Sequence, residues 1–101
     1  MYVAVGYALS NSVMLEGPEG LVIVDTTESL DAAKEIQRDF RKISQKPVKA
    51  VIYTHHHSDH IYGTEVRLYV PLHGTYLWYT DTTLCTMTWS ISVVERRLVT
   101  L

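Results

Sequence analysis

Four side chains of the kind that ligate metal ions fall within six positions of the segment YTHHHSDH, residues 53–60: His55, His57, Asp59 and His60, with His56 and Ser58 as spacers. Neutral imidazole and carboxylate form the donor set that suits zinc, and a loop leaving a strand can point residues i and i+2 the same way. His55 and His57 can therefore grip one ion. Asp59 and His60 lie a step further round the turn and can bind a second ion beside it. Two ions about 3.5–4 Å apart share a water and activate it near neutral pH, so hydrolysis is the natural output. Three adjacent histidines can also be a loose metal-binding tract or plain solvated side chains. Against that stand four ligand residues sharing one loop directly after a buried apolar run. His56 is read as a spacer, and His73 as a solvated loop histidine.

The elements that must position these residues follow from hydrophobic pattern. From Tyr2 to Asp25, short runs rich in Val, Ile and Tyr are broken at Ser10-Asn11-Ser12 and at Gly17-Pro18-Glu19-Gly20, which predicts consecutive antiparallel strands. The last run, LVIVD at 21–25, is continuously apolar, as in a strand buried on both faces, and stops on a carboxylate at the polar rim. Asp25 is there either a plain strand-end carboxylate or a group that orients the ligand loop. Thr26 and Thr27 offer N-cap hydroxyls, and Leu30, Ala33, Ile36, Phe40 and Ile43 recur at helical spacing, predicting an amphipathic helix over about 28–44. Pro47 ends it, and VKAVIY at 48–53 is the next buried strand, running straight into the histidine loop. The fold class is α/β (α+β): antiparallel strands, then a β-α-β unit whose strands both end on candidate site residues.

The chain has 101 residues, 47% of them apolar and 20% charged, the range of a soluble folded domain. A net charge of −2 with scattered basic residues excludes the electrostatic footprint of a nucleic-acid binder. The single cysteine, Cys85, is read as inert and excludes both a disulfide framework and a Cys-based zinc site. No apolar run reaches the ~20 residues of a membrane helix. The amino terminus has neither a basic stretch nor a clear cleavage site, so a soluble protein of open compartment is expected. Past residue 66 the character changes: all 4 lysines and 9 of the 11 acidic residues precede that point, and both tryptophans follow it. Residues 1–66 are accordingly read as one unit and 67–101 as an atypical tail.

The stretch from Gly20 to Gly63 resembles the amino-terminal half of a metallo-β-lactamase-fold hydrolase. The His-x-His-x-Asp-His motif carries the superfamily. DTTES after the buried strand, the run from Phe40 to His55, and Tyr62-Gly63 point to the alkyl sulfatase branch. Similar loops occur in hydroxyacylglutathione hydrolases, a thioesterase branch. The resemblance implies a partial αββα fold and hydrolysis of a small-molecule sulfate ester. It implies two zinc ions, one on His55 and His57 and one on Asp59 and His60, with Asp25 supporting the loop. Asp59 is also the candidate for orienting the attacking water. Family members add glutamates and a histidine further downstream, none of which is matched here; Glu95 has no motif around it. An incomplete chain is therefore expected, with a non-catalytic metal-binding fragment as the alternative. Self-association through an exposed sheet face or edge is the expected partner interaction.

Overall fold

Strand-forming sequence at the amino terminus folds as β1 (Tyr2–Val5), β2 (Ser12–Glu16) and β3 (Leu21–Val24), joined as an antiparallel meander with Val3 opposite Val13 and Met14 opposite Ile23. The structure, a computed structural model, describes residues 1–65 and the backbone of the strands 76–79 and 97–100. Helix α1 (Leu30–Ile43) then crosses over to β4 (Val48–Tyr53), which pairs with β3 in parallel, completing the β-α-β unit that the sequence predicts. The short helix α2 (Ser58–Ile61) follows the histidine loop and runs into a 3-10 turn at Tyr62–Glu65. Strands β5 (Tyr76–Tyr79), parallel to β4, and β6 (Arg97–Thr100), antiparallel to β1, close the two ends of a six-stranded sheet of order β5-β4-β3-β2-β1-β6. The expectations for His73, Cys85 and Glu95 lie outside the described residues.

Period-two alternation sends Ala4, Met14, Leu21, Ile23, Val51 and Tyr53 to one face, and a register shift at the start of the β3–β4 pairing adds Val48; there they meet Ala33, Ile36 and Phe40 of α1 in a single core. Burial of a side chain such as Phe40 contributes about 1.5–3 kcal/mol. The opposite face, with Val13, Val22, Val24 and Ile52, is only half-buried, so β3 is covered fully on one side and not on both as its apolar run suggests.

The helix starts two residues later than its pattern predicts, and neither predicted cap is used. Ser29 caps it, its Oγ accepting from Ala32 N at 3.3 Å. Thr26 and Thr27 are fully buried and committed elsewhere. The ends of the predicted stripe, Leu30 and Ile43, are exposed, and Gln37 joins the buried face instead. Asp31 in the first turn and Arg41 and Lys42 in the last complement the helix dipole. Among the described residues no helix is long and apolar enough to cross a membrane.

Candidate metal centre

Strands β3 and β4 are parallel neighbours, so both of their carboxyl ends open on one rim. Asp25 leaves β3 in the left-handed region, φ 59°, which Asp tolerates better than most residues, and its side chain is buried beneath the loop that leaves β4. One carboxylate oxygen accepts from Thr54 N at 2.8 Å. The other accepts from Thr54 Oγ1 and faces His60 Nδ1, each at 2.8 Å.

Those contacts assign the imidazole protons. A carboxylate can only accept, so His60 carries its proton on Nδ1 and turns the Nε2 lone pair away from Asp25. Thr54 gives its one proton to Asp25 and so accepts from His55 Nδ1, 3.0 Å away. His55 thus also presents Nε2 as a lone pair. That atom faces His57 Nδ1 at 3.0 Å, and His60 Nε2 lies 3.4 Å from Asp59 Oδ2. Partial burial first, and then the neighbouring His60 and His57, hold the His55 imidazole below its ordinary pKa, with Asp25 and Asp59 opposing. It is therefore neutral at neutral pH, the form that ligates a metal.

The loop and the strands that hold it match known proteins. Residues 5–66 fit the model of the metallo-beta-lactamase superfamily, well over half of the chain. The chain belongs to that superfamily. Its similarity lies in the alkyl sulfatase branch: it is 58% identical over 52 residues to a linear primary-alkylsulfatase of Pseudomonas sp., covering 52% of this chain and 10% of that protein. It is 41% identical over 66 residues to an alkyl/aryl-sulfatase of Saccharomyces cerevisiae, covering 64% of this chain and again 10% of the relative. The structure of a stereoselective inverting sec-alkylsulfatase from Pseudomonas sp. superposes with a TM-score of 0.55 at 33% identity, over 58% of this chain and 10% of that one. A subclass B3 metallo-beta-lactamase from a soil metagenome shares the fold at a TM-score of 0.50, over 62% of this chain and 24% of that one. The chain thus spans about a tenth of the length of the alkylsulfatases it matches.

The donor set fits zinc as two pairs. Zn–N bonds of about 2.0–2.1 Å at tetrahedral angles separate two ligand atoms by about 3.3–3.4 Å. The Asp59–His60 pair already has that spacing at 3.4 Å, and the His55–His57 pair at 3.0 Å is a few tenths short of it. Among the described residues no group of three or more His, Cys, Asp or Glu side chains converges on one point. Each pair therefore supplies one edge of a coordination sphere. A hollow of about 500 Å³ lies nearby, lined by Glu28, Ser29, Leu30, Tyr53, Ile61 and Tyr62. None of the four donor residues lines it, so it does not open onto the donor atoms.

All four predicted ligands and Asp25 are thus brought to one rim, while His56 points to solvent with its ring beside that of His57. Sequence reasoning missed Thr54, which links Asp25 to His55, and also Ser10 and Ser12. Ser10 Oγ donates to Asp59 O, and Ser12 Oγ donates to Asp25 O at 2.7 Å. The position of Thr54, immediately before the motif, was the one available signal.

Proposed function

We propose that this chain carries the first ligand loop of a zinc-dependent, alkyl sulfatase-like hydrolase acting on a small-molecule sulfate ester. The supporting observation is the pairing of donors on one braced loop, His55 with His57 and Asp59 with His60, in a chain similar to alkylsulfatases. In this reading His55 and His57 hold one ion, Asp59 and His60 hold the other, and Asp25 fixes the loop. Zinc held there supplies a Lewis acid and, by lowering the pKa of water to about 7, a nucleophile at neutral pH. The protein's own part is positional. Asp25 keeps the His60 proton on Nδ1, Thr54 keeps that of His55 on Nδ1, and the Asp59 carboxylate orients the attacking water toward the sulfate ester.

A second reading is favoured by the same geometry: each ion has two ligands among the described residues, whereas catalytic zinc sites normally have three. In that reading the chain captures zinc without turnover. Self-association through the half-buried sheet face bearing Val13, Val22, Val24 and Ile52 belongs to either reading and is measured by sedimentation.

Zinc content followed by a dodecyl sulfate assay separates the two. Changing His55 and His57 together to Ala removes zinc from the first pair, and changing Asp59 and His60 together to Ala removes it from the second. Unchanged zinc content in both double variants sinks the metal assignment. Zinc-dependent sulfate release that disappears in both supports the hydrolase, and zinc binding without release supports the capture module. A thioester substrate in the same assay tests the hydroxyacylglutathione hydrolase alternative.

A further inference from the structure

We infer that Thr64 is a positioning residue for the Asp59–His60 pair, the point at which the ligand helix α2 is tied to the turn after β3 and to the end of β4. This rests on the metal-centre reading above.

A threonine hydroxyl has one proton and two lone pairs. Ile61 O lies 2.6 Å from Thr64 Oγ1 and can only accept, so the proton goes there. Its two lone pairs then face Thr26 Oγ1, 2.9 Å away, and the Tyr53 hydroxyl. These three partners surround the hydroxyl, and each comes from a different element: Ile61 ends α2, Thr26 follows β3, and Tyr53 ends β4. A valine has the same shape and none of these bonds.

The tie matters because α2 has four residues and cannot satisfy the carbonyls of its own last turn. Three successive carbonyls are instead held from outside. Asp59 O accepts from Ser10 Oγ, His60 O accepts from Thr26 N at 2.7 Å, and Ile61 O accepts from Thr64. The side chains that those carbonyls anchor include both ligands of the second pair. Thr26 Oγ1 also lies 3.2 Å from His60 O, so its single proton is drawn between Thr64 and the ligand's own backbone.

Gly63 sets the approach. A Cβ there would meet Thr26 O at 1.8 Å and Ala33 Cβ at 2.7 Å, so the backbone lies directly on the β3 turn and delivers Thr64 to Thr26. Gly63 N donates to Thr27 O at 3.0 Å, gripping a buried β-branched residue held at φ 72°. Such a residue at positive φ is strained and persists only where neighbours enforce it.

The experiment compares the full chain with Thr64→Val and Thr64→Ser, each first checked for wild-type far-ultraviolet dichroism. Nitrogen-15 correlation spectra of the His60 ring, recorded without metal at one fixed pH, report its tautomer. Zinc affinity is then measured by competition with a chromophoric chelator. Wild type should show His60 protonated on Nδ1. Thr64→Val should give mixed tautomers at His60 and bind zinc about 10–100-fold more weakly, and Thr64→Ser should recover both. If Thr64→Val does not fold, Tyr53→Phe removes one donor alone and should give a smaller shift of the same sign. A folded Thr64→Val with the wild-type His60 spectrum and zinc affinity overturns the role, as does an unshifted Tyr53→Phe where that variant carries the test. A fixed His60 tautomer that is lost in Thr64→Val, in a chain that binds no zinc, keeps the positioning role and removes the metal reading instead.

Discussion

The two halves of the histidine loop are held by different means. His55, in the bend after β4, and His57, extended just before α2, are fixed through their rings: Thr54 at one His55 nitrogen, His57 at the other, with the His55 and His57 rings edge to face at 4.6 Å. Asp59 and His60 sit on a helical turn whose carbonyls are bonded from the turn after β3 and from the β1–β2 loop, so their backbone is fixed before their side chains are considered. His60 alone has both kinds of support, since Asp25 also holds its ring. A preorganised pair loses less freedom when it binds, so the Asp59–His60 spacing already matches a zinc edge while the His55–His57 pair has still to open.

The largest expected effect comes from breaking the backbone-held half. Gly63→Ala forces a Cβ into the Thr26 carbonyl, which is backbone and cannot swing aside, so destabilisation of at least ~2 kcal/mol is expected, read as a lowered midpoint in urea. Zinc retained at His55 and His57 but lost at Asp59 and His60 would show that the halves are separable. Wild-type stability in this variant would show that the close approach is not needed.

Asp25→Asn sharpens the contrast because this carboxylate touches both halves. It serves His60 directly and His55 through Thr54. An amide keeps the shape but loses the charge and one acceptor, so zinc affinity is expected to drop about 10–100-fold with little change in dichroism. The drop should be steeper at the second pair, where the contact is direct; equal losses at both pairs would make Thr54 as strong a link as direct contact.

The smallest effect is expected far from the rim and serves as a control. Hydrogen bonds from Lys42 first, and then from the Tyr7 hydroxyl, hold the Asp39 carboxyl below its ordinary pKa of 3.8. A carboxyl depressed on folding contributes stability that is complete above the unfolded value and is lost as pH falls through the folded one. As pH falls below about 4, stability should therefore fall less steeply in Asp39→Asn than in wild type, with zinc affinity at pH 7 unchanged. A changed affinity would mean that the Asp39 contact with Tyr7 reaches the metal loop.

What was legible in the sequence is what repeats or clusters. Short apolar runs bounded by turn residues gave β1 to β4, the spacing of Ala33, Ile36 and Phe40 gave α1, and Asp25 and the histidine motif at the ends of two parallel strands gave the rim. These follow from local pattern because the burial of one face is written into residue order. The boundaries were less legible, since Ser29, Thr26 and Thr27 all look like caps and only packing commits the threonines elsewhere. The strand at 76–79, YLWY, lacks the alternation that would mark it, yet it pairs with β4.

The sequence by itself determined the superfamily, the histidine motif and the β-α-β frame beneath it. Only the tertiary structure decided which nitrogen of His55 and of His60 is free, because that depends on an acceptor far away in the chain: Asp25 lies 35 residues from His60 and 29 from Thr54. Tertiary structure alone also decided that Ser10, Thr26 and Thr64 bond the carbonyls of α2. A hydroxyl has no periodicity to betray it, and the same side chain is a solvated surface group unless the fold brings a carbonyl to it, as it brings Asp59 O to Ser10 across 49 residues.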